Sequence, residues 1–305
     1  MNRYLAHAFL VLSLATAAFT QQSALRSVHV NGVTLHYLDQ GRGTPLIFVH
    51  GGMEDYRAWD AQISPVAKSF RVIAYSKRFN YPNQNAIRSR NHSAIIDAED
   101  LAALMHKLKL GPAHIVGHSY GAYTAMFLAL RHPELVRSLV LSEPPLMKWL
   151  NDLPAGKPLL DDFMSNMWLP CASAFRRHDP DTALRITVDW FGSHEAPASG
   201  ESATYASLPA EVRTTLMQDI REWEALTTSE DAFPPISHKE AAKISEPVLL
   251  LSGDHSVQAF RLIAAELART LPHVQFQVLS GASHEMWSEM PQELTNRIEP
   301  FLSTH

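Results

Sequence analysis

Residues Gly117-His118-Ser119-Tyr120-Gly121 form a Gly-x-Ser-x-Gly sequence, entered from the apolar run Ala113-His114-Ile115-Val116 and left by the helical stretch Ala122 to Arg131. A serine on so sharp a strand-to-helix turn takes strained backbone angles and holds its hydroxyl out at the carboxyl end of a sheet. The residues two before and two after it must lack side chains, because strand and helix approach closely there. The chemistry this suits is nucleophilic attack by an alcohol, which is weak unless a base removes its proton as it attacks. A Gly/Ser loop matching the pattern by chance would not carry a strand on one side and a helix on the other.

The rest of the chain must supply that base and a scaffold. With 305 residues it can bury one large α/β domain, with or without an insertion. A hydrophobic content of 46% against 19% charged residues excludes a disordered chain. The 31 acidic and 26 basic residues are interspersed, so no nucleic-acid footprint appears. The 16 histidines show no His-x-x-x-His spacing on a predicted helix, and neither a metal nor a cofactor is expected. Cys171 is the single cysteine, so no intramolecular disulfide can form.

Arg3 precedes an apolar segment from Leu5 to Phe19, followed by polar Thr20-Gln21-Gln22-Ser23. The segment is short for a membrane span and predicts a secretory signal over residues 1–22, with small residues Ala15, Ala17, Ala18 and Thr20 near candidate cleavage points. A periplasmic or extracellular protein, with no membrane span in its mature form, is the expectation.

From Ser27 the pattern is β. Val28 to Val30 and Thr34 to Leu38 flank Asn31-Gly32, a two-residue hairpin signal. Leu46-Ile47-Phe48-Val49 is an apolar run of the kind a buried parallel strand requires, and it ends in His50-Gly51-Gly52-Met53, where glycines let backbone N–H groups face a cleft. Arg71 to Tyr75 predicts a strand, and Ser93 to Leu110 an amphipathic helix ended by Gly111-Pro112. Strand and helix alternate through Ser119 to Val136–Leu141, which implies a mostly parallel sheet with helices on both faces. The rhythm returns only at Pro247 to Gly253, continuing with a helix from Phe260 to Thr270, a strand from Val274 to Leu279 and a helix from Met286 or Pro291 to Leu302. Residues 146–236 between them read as a helical insertion rich in Trp, Phe and Met, some packing on one another and some facing a pocket above Ser119.

These residues carry a resemblance. From about Ser27 to Leu302 the chain resembles the α/β-hydrolase fold superfamily, with its His-Gly loop, Ser119 turn, insertion and late histidine in the expected order. The resemblance implies an eight-stranded, mostly parallel sheet, with Ser119 after the fifth strand and a helical cap after the sixth. The core would comprise 23–145 and 237–305, and the cap 146–236. It makes His284, in Gly281-Ala282-Ser283-His284, the general base.

The acid departs from the family's common pattern. Many members place an aspartate three residues past the glycine that ends the seventh strand, and here that residue is Ser256. Two carboxylates can replace it. Glu143, in Leu141-Ser142-Glu143-Pro144-Pro145, follows the sixth strand, as in haloalkane dehalogenases, and is preferred. Asp254 is the alternative, nearer the usual place but aimed differently. The expected oxyanion donors are the backbone N–H groups of Tyr120 and Gly52, with Met53 as a substitute for Gly52. His50 and His118 are assigned to shaping loops. A second departure follows the fourth strand, where Ser76-Lys77-Arg78-Phe79-Asn80-Tyr81-Pro82-Asn83 keeps the arginine of the family's D-x-R-G-x-G-x-S stretch and puts aromatic residues in place of its glycines. That loop either narrows the cleft or packs on its own aromatics.

The function this implies is hydrolysis of a carboxylic ester or lactone of a small, hydrophobic molecule through an acyl-enzyme. Carbon–carbon bond or peptide/amide hydrolysis on the same fold is an alternative, as is a receptor-like binding protein with little turnover. A serine at position 119 argues against dehalogenase and epoxide hydrolase chemistry, which needs a carboxylate nucleophile.

Overall fold

The computed structural model describes residues 24–195 and 204–305; the stretch read as a secretory signal, 1–22, lies outside them. Eight strands, β1 (Arg26–Val30), β2 (Val33–Gly41), β3 (Pro45–Val49), β4 (Arg71–Tyr75), β5 (Ala113–His118), β6 (Val136–Ser142), β7 (Val248–Gly253) and β8 (Val274–Leu279), form one sheet in the order β1-β2-β4-β3-β5-β6-β7-β8. Asn31 and Gly32 take φ of 47° and 75°, the left-handed pair that a two-residue hairpin needs, and β1 and β2 pair antiparallel in register Val30↔Val33. β2 pairs antiparallel with β4, and every later pairing is parallel.

The apolar runs are explained by burial on both faces. In β3, Ile47 and Val49 enter the larger core cluster and Leu46 and Phe48 the smaller one on the other side. The connecting helices are α1 (Asp60–Val66), α2 (Ala94–Leu108) and α3 (Tyr120–Arg131), followed after β6 by α4 (Gly156–Asp162), α5 (Leu169–Arg176), α6 (Pro180–His194), α7 (Ala210–Thr227) and α8 (His238–Ala241). After β7 come α9 (Gln258–Thr270), α10 (Met286–Glu289) and α11 (Pro291–Thr304). α2 stops earlier than the sequence suggests, because Lys109 turns left-handed at φ 55° and returns its N–H to Met105 and His106, so a lysine makes the cap expected of Gly111.

Between β6 and β7 the described residues contain helices and no strand, including a π-helical segment, Phe163–Trp168, that joins α4 to α5. Trp149, Met167, Trp168, Phe175 and Trp190 pack inside this segment or against the sheet. Among the described residues no helix is long and apolar enough to cross a membrane.

Candidate active site

Ser119 stands between β5 and α3 with φ 50°, in the left-handed region that costs a non-glycine residue about 1–3 kcal/mol. Its N–H donates to Ser142 O at 2.8 Å, tying the turn to the end of β6. The two flanking glycines serve different neighbours. A Cβ on Gly117 would stand 2.6 Å from Ala122 Cα, which is the strand-to-helix approach expected. A Cβ on Gly121 would stand 2.2 Å from Val49 O and 2.4 Å from His50 O, so this glycine lets α3 cross the end of β3 instead.

His284, in the loop between β8 and α10, is 3% exposed and has Nδ1 at 2.6 Å from Glu143 Oε2. Glu143 follows β6, is fully buried, and accepts three further hydrogen bonds: Ser252 Oγ (2.8 Å) and Gly253 N–H (2.9 Å) at Oε1, and Ser256 Oγ (2.6 Å) at Oε2. Burial alone would raise its pKa, but His284 and the other donors outweigh it and hold the carboxyl below its ordinary value. With Nδ1 facing a carboxylate, the imidazole keeps its proton there and leaves Nε2 as the basic nitrogen. The ring is packed between Phe260 and Phe191, at centroid distances of 4.7 and 5.8 Å.

Asp254 is placed elsewhere. Its Oδ1 accepts from Gly281 N–H at 2.7 Å, so it shapes the loop that carries His284 without meeting the ring. Ser256, at the position where many relatives have the acid, instead donates to Glu143. The sequence reading passed over Ser252 and Ser256 as donors, although their placement at the end of β7 beside β6 was the available signal.

Ser119 and His284 line one cavity with Gly52, Met53, His118 and Tyr120. Among the described residues no hydrogen bond joins the Ser119 hydroxyl to the ring, a contact that in unliganded sites often closes only with substrate. Gly51 N–H donates to Glu54 Oε2 (2.6 Å) and Met53 N–H to Glu222 Oε2 (3.0 Å). Met53 is therefore occupied, and Gly52 N–H has no acceptor among the described residues. Tyr120 is the first residue of α3, where an N–H has no partner within the helix. Its hydroxyl is committed elsewhere, donating to Ala232 O at 2.6 Å.

His50 and His118, at the ends of β3 and β5, hold the neighbouring loops. His50 Nε2 accepts from Lys77 N–H at 3.0 Å and Nδ1 donates to Gly51 O at 2.9 Å; burial and the Lys77 charge keep its pKa well down, so it stays neutral. His118 donates from Nε2 to His284 O at 3.0 Å and meets Glu54 Oε2 at 3.3 Å. Burial works against its charge, but Glu54 prevails and raises its pKa.

The cavity encloses about 310 Å³ and is mostly apolar, walled by Phe163, Phe191, Leu216, Trp223, Phe233 and Phe260, with Glu54, Glu195 and Glu285 also in its lining. Burial and the charge of Glu285 push Glu195 up to about 8. No residue of the Ser76–Asn83 loop lines this cavity. Lys77 and Asn80 are buried against Glu222, and Arg78 pairs with Asp100 at 2.8 Å. His92, Asp97 and Glu222 bring ligand-type atoms within 4.8 Å of one another, but the Lys77 ammonium already stands on Glu222 and supplies positive charge there.

A family model described as alpha/beta hydrolase fold matches residues 44–289. The chain is 25% identical over 273 residues to the soluble epoxide hydrolase of a Corynebacterium species, covering 86% of this chain and 91% of that protein. It is 28% identical over 142 residues to the uncharacterized hydrolase YraK of Bacillus subtilis, spanning 46% of this chain and about half, 52%, of that relative. Among solved structures it resembles Est816, described as an N-acyl homoserine lactone degrading enzyme, with a TM-score of 0.71 at 20% identity over 90% of this chain and 100% of that one.

Proposed function

Because the chain belongs to the α/β-hydrolase fold family, we propose that it is a serine hydrolase that cleaves a carboxylic ester or lactone of a hydrophobic small molecule. The observation that carries this reading is the 2.6 Å contact of His284 Nδ1 with the buried, four-fold hydrogen-bonded carboxylate of Glu143, set in the cavity that Ser119 also lines. Such a contact fixes the imidazole tautomer and stabilises the imidazolium that forms when the serine gives up its proton.

In this reading Ser119 Oγ attacks the substrate carbonyl carbon while His284 Nε2 takes its proton. The Gly52 and Tyr120 N–H groups stabilise the oxyanion. The imidazolium returns the proton to the leaving alkoxide, giving an acyl-enzyme and an alcohol. A water, deprotonated by His284, releases the acid and frees Ser119. The apolar walls suit an acyl or alcohol part without charge. The similarity to an epoxide hydrolase does not extend to a nucleophile for ring opening, since alkyl-enzyme formation uses a carboxylate and position 119 offers an alcohol.

The test is hydrolysis of p-nitrophenyl esters from short to long acyl chain by the wild type and Ser119→Ala. Turnover that peaks at one chain length and disappears in Ser119→Ala supports the reading. Absence of turnover on every ester and lactone, together with no labelling of Ser119 by a fluorophosphonate, overturns it in favour of the binding role.

A further inference from the structure

The turn that presents Gly52 is held from outside its own loop. Met53 takes φ 55°, a left-handed conformation that a methionine keeps only when its surroundings impose it. The group that meets its N–H is the carboxylate of Glu222, on α7 and wholly buried. The other oxygen of Glu222 takes the ammonium of Lys77, itself 1% exposed, and Asn80 Nδ2 donates to Oε2 at 2.9 Å. The next residue, Trp223, lies over Gly52 so closely that a Cβ there would be 3.0 Å from its ring. Glu54 holds the Gly51 amide on the other side, so the Gly52 N–H stands between two engaged amides with no acceptor of its own among the described residues.

We propose that Glu222 is a positioning residue for the oxyanion-binding loop: by accepting the Met53 N–H it holds the left-handed turn that aims Gly52 N–H at the reacting carbonyl, with Lys77 as its charge partner. This rests on the serine hydrolase reading. It makes α7, which lies outside the sheet's own connections, a part of the catalytic geometry as well as a wall of the cavity. The buried pair also has a reason to exist that stability does not provide, since apolar replacement of such a pair is often neutral or stabilising.

The experiment compares two double variants that both delete the ion pair, and with it the Lys77 charge that steadies Asp97, so that loss is common to the two. In Lys77→Met/Glu222→Gln the carbonyl oxygen still accepts the Met53 N–H and the amide NH₂ can turn to the Asp97 carboxylate, whose oxygens have no partner among the described residues. In Lys77→Met/Glu222→Leu no acceptor remains. Loss of an oxyanion donor costs about 10²–10³ in kcat, and a misaimed one a share of that. The leucine variant is expected to lose about 30-fold or more in kcat with KM nearly unchanged, and to lose affinity for a trifluoromethyl ketone in step. The glutamine variant is expected to recover most of both.

Equal kcat in the two variants, or a loss confined to KM, overturns the proposal. Should the leucine variant not fold, Glu222→Asp with Lys77 retained keeps the charge but withdraws the acceptor, and is expected to show the same kcat-only loss. Protection of the Met53 amide from hydrogen exchange, lost with leucine and kept with glutamine, reads the positioning without any turnover. Failure of the functional reading shows separately in the wild type itself, as no turnover on any ester or lactone with no fluorophosphonate labelling of Ser119, or as turnover that Ser119→Ala leaves intact.

Discussion

Glu143→Gln isolates the charge and donor pattern of one atom. All four acceptor directions of the carboxylate are in use, two donors at each oxygen. A glutamine must place its NH₂ at one of these ends. At the Oε1 end it would oppose Gly253 N–H, which cannot reverse, whereas at the Oε2 end Ser256 can turn to accept and His284 can shift its proton to Nε2. The amide therefore faces the ring, and His284 presents N–H to Ser119 where it should present a lone pair. The equivalent wrong-tautomer change in a serine protease costs about 10⁴ in kcat, which corresponds to about 5 kcal/mol of barrier. A loss of that order is expected here in p-nitrophenyl ester hydrolysis, with a parallel loss in the rate of fluorophosphonate labelling and KM little changed. Asp254→Asn, whose contact is with Gly281 N–H, is the control and should retain turnover within a few-fold. A Glu143→Gln enzyme within ten-fold of the wild type, or an Asp254→Asn enzyme that is the more damaged, refutes the assignment.

Gly121→Ala is expected to unfold the turn at its base, since a Cβ 2.2 Å from Val49 O meets backbone that cannot give way. A cost of about 3 kcal/mol or more, or about 10 °C in Tm, is expected in thermal melts, against about 1–2 kcal/mol for Gly32→Ala, where nothing lies within 4 Å and only the left-handed φ of 75° is strained. Glu54→Gln should lower the raised pKa of His118, because burial is then opposed only by the more distant charges of Glu285 and Glu143, and histidine NMR titration reads this directly. A raised folded-state pKa contributes stability that is full below 6.5 and is lost as pH rises through the folded value, so denaturant melts of the wild type should weaken over that window more than those of Glu54→Gln, in which the raised Glu195 still titrates. A wild-type His118 titrating at or below 6.5 would contradict the ion pair.

What could be read from the chain was local. The β-hairpin, the buried strands and the Ser119 turn announce themselves in runs of fewer than ten residues, and the sheet's pairing follows from their alternation with helices. Glu143 was readable because the position usually filled by the acid holds Ser256, which directs attention to the carboxylate after β6. Glu222 was not readable. It lies 145 residues from Lys77 and 169 from Met53, on a helix with several other acidic residues, and only the way α7 settles over the sheet selects it. The bulky Ser76–Asn83 loop was legible as unusual but not in purpose, because its buried lysine needs a partner from that distant helix.

Ser119, Glu143 and Met53 share a property that has nothing to do with reactivity: all three are left-handed at φ 50°, 48° and 55°, at the ends of β5, β6 and β3, which are neighbours in the sheet. The backbone of each would be less strained as glycine. Relieving that strain costs least at Ser119, whose hydroxyl holds no hydrogen bond among the described residues, whereas glycine at Glu143 would strand four hydrogen-bond partners and at Met53 would hollow the core; variants gathered for heat resistance without an activity screen should therefore accumulate glycine at position 119 first.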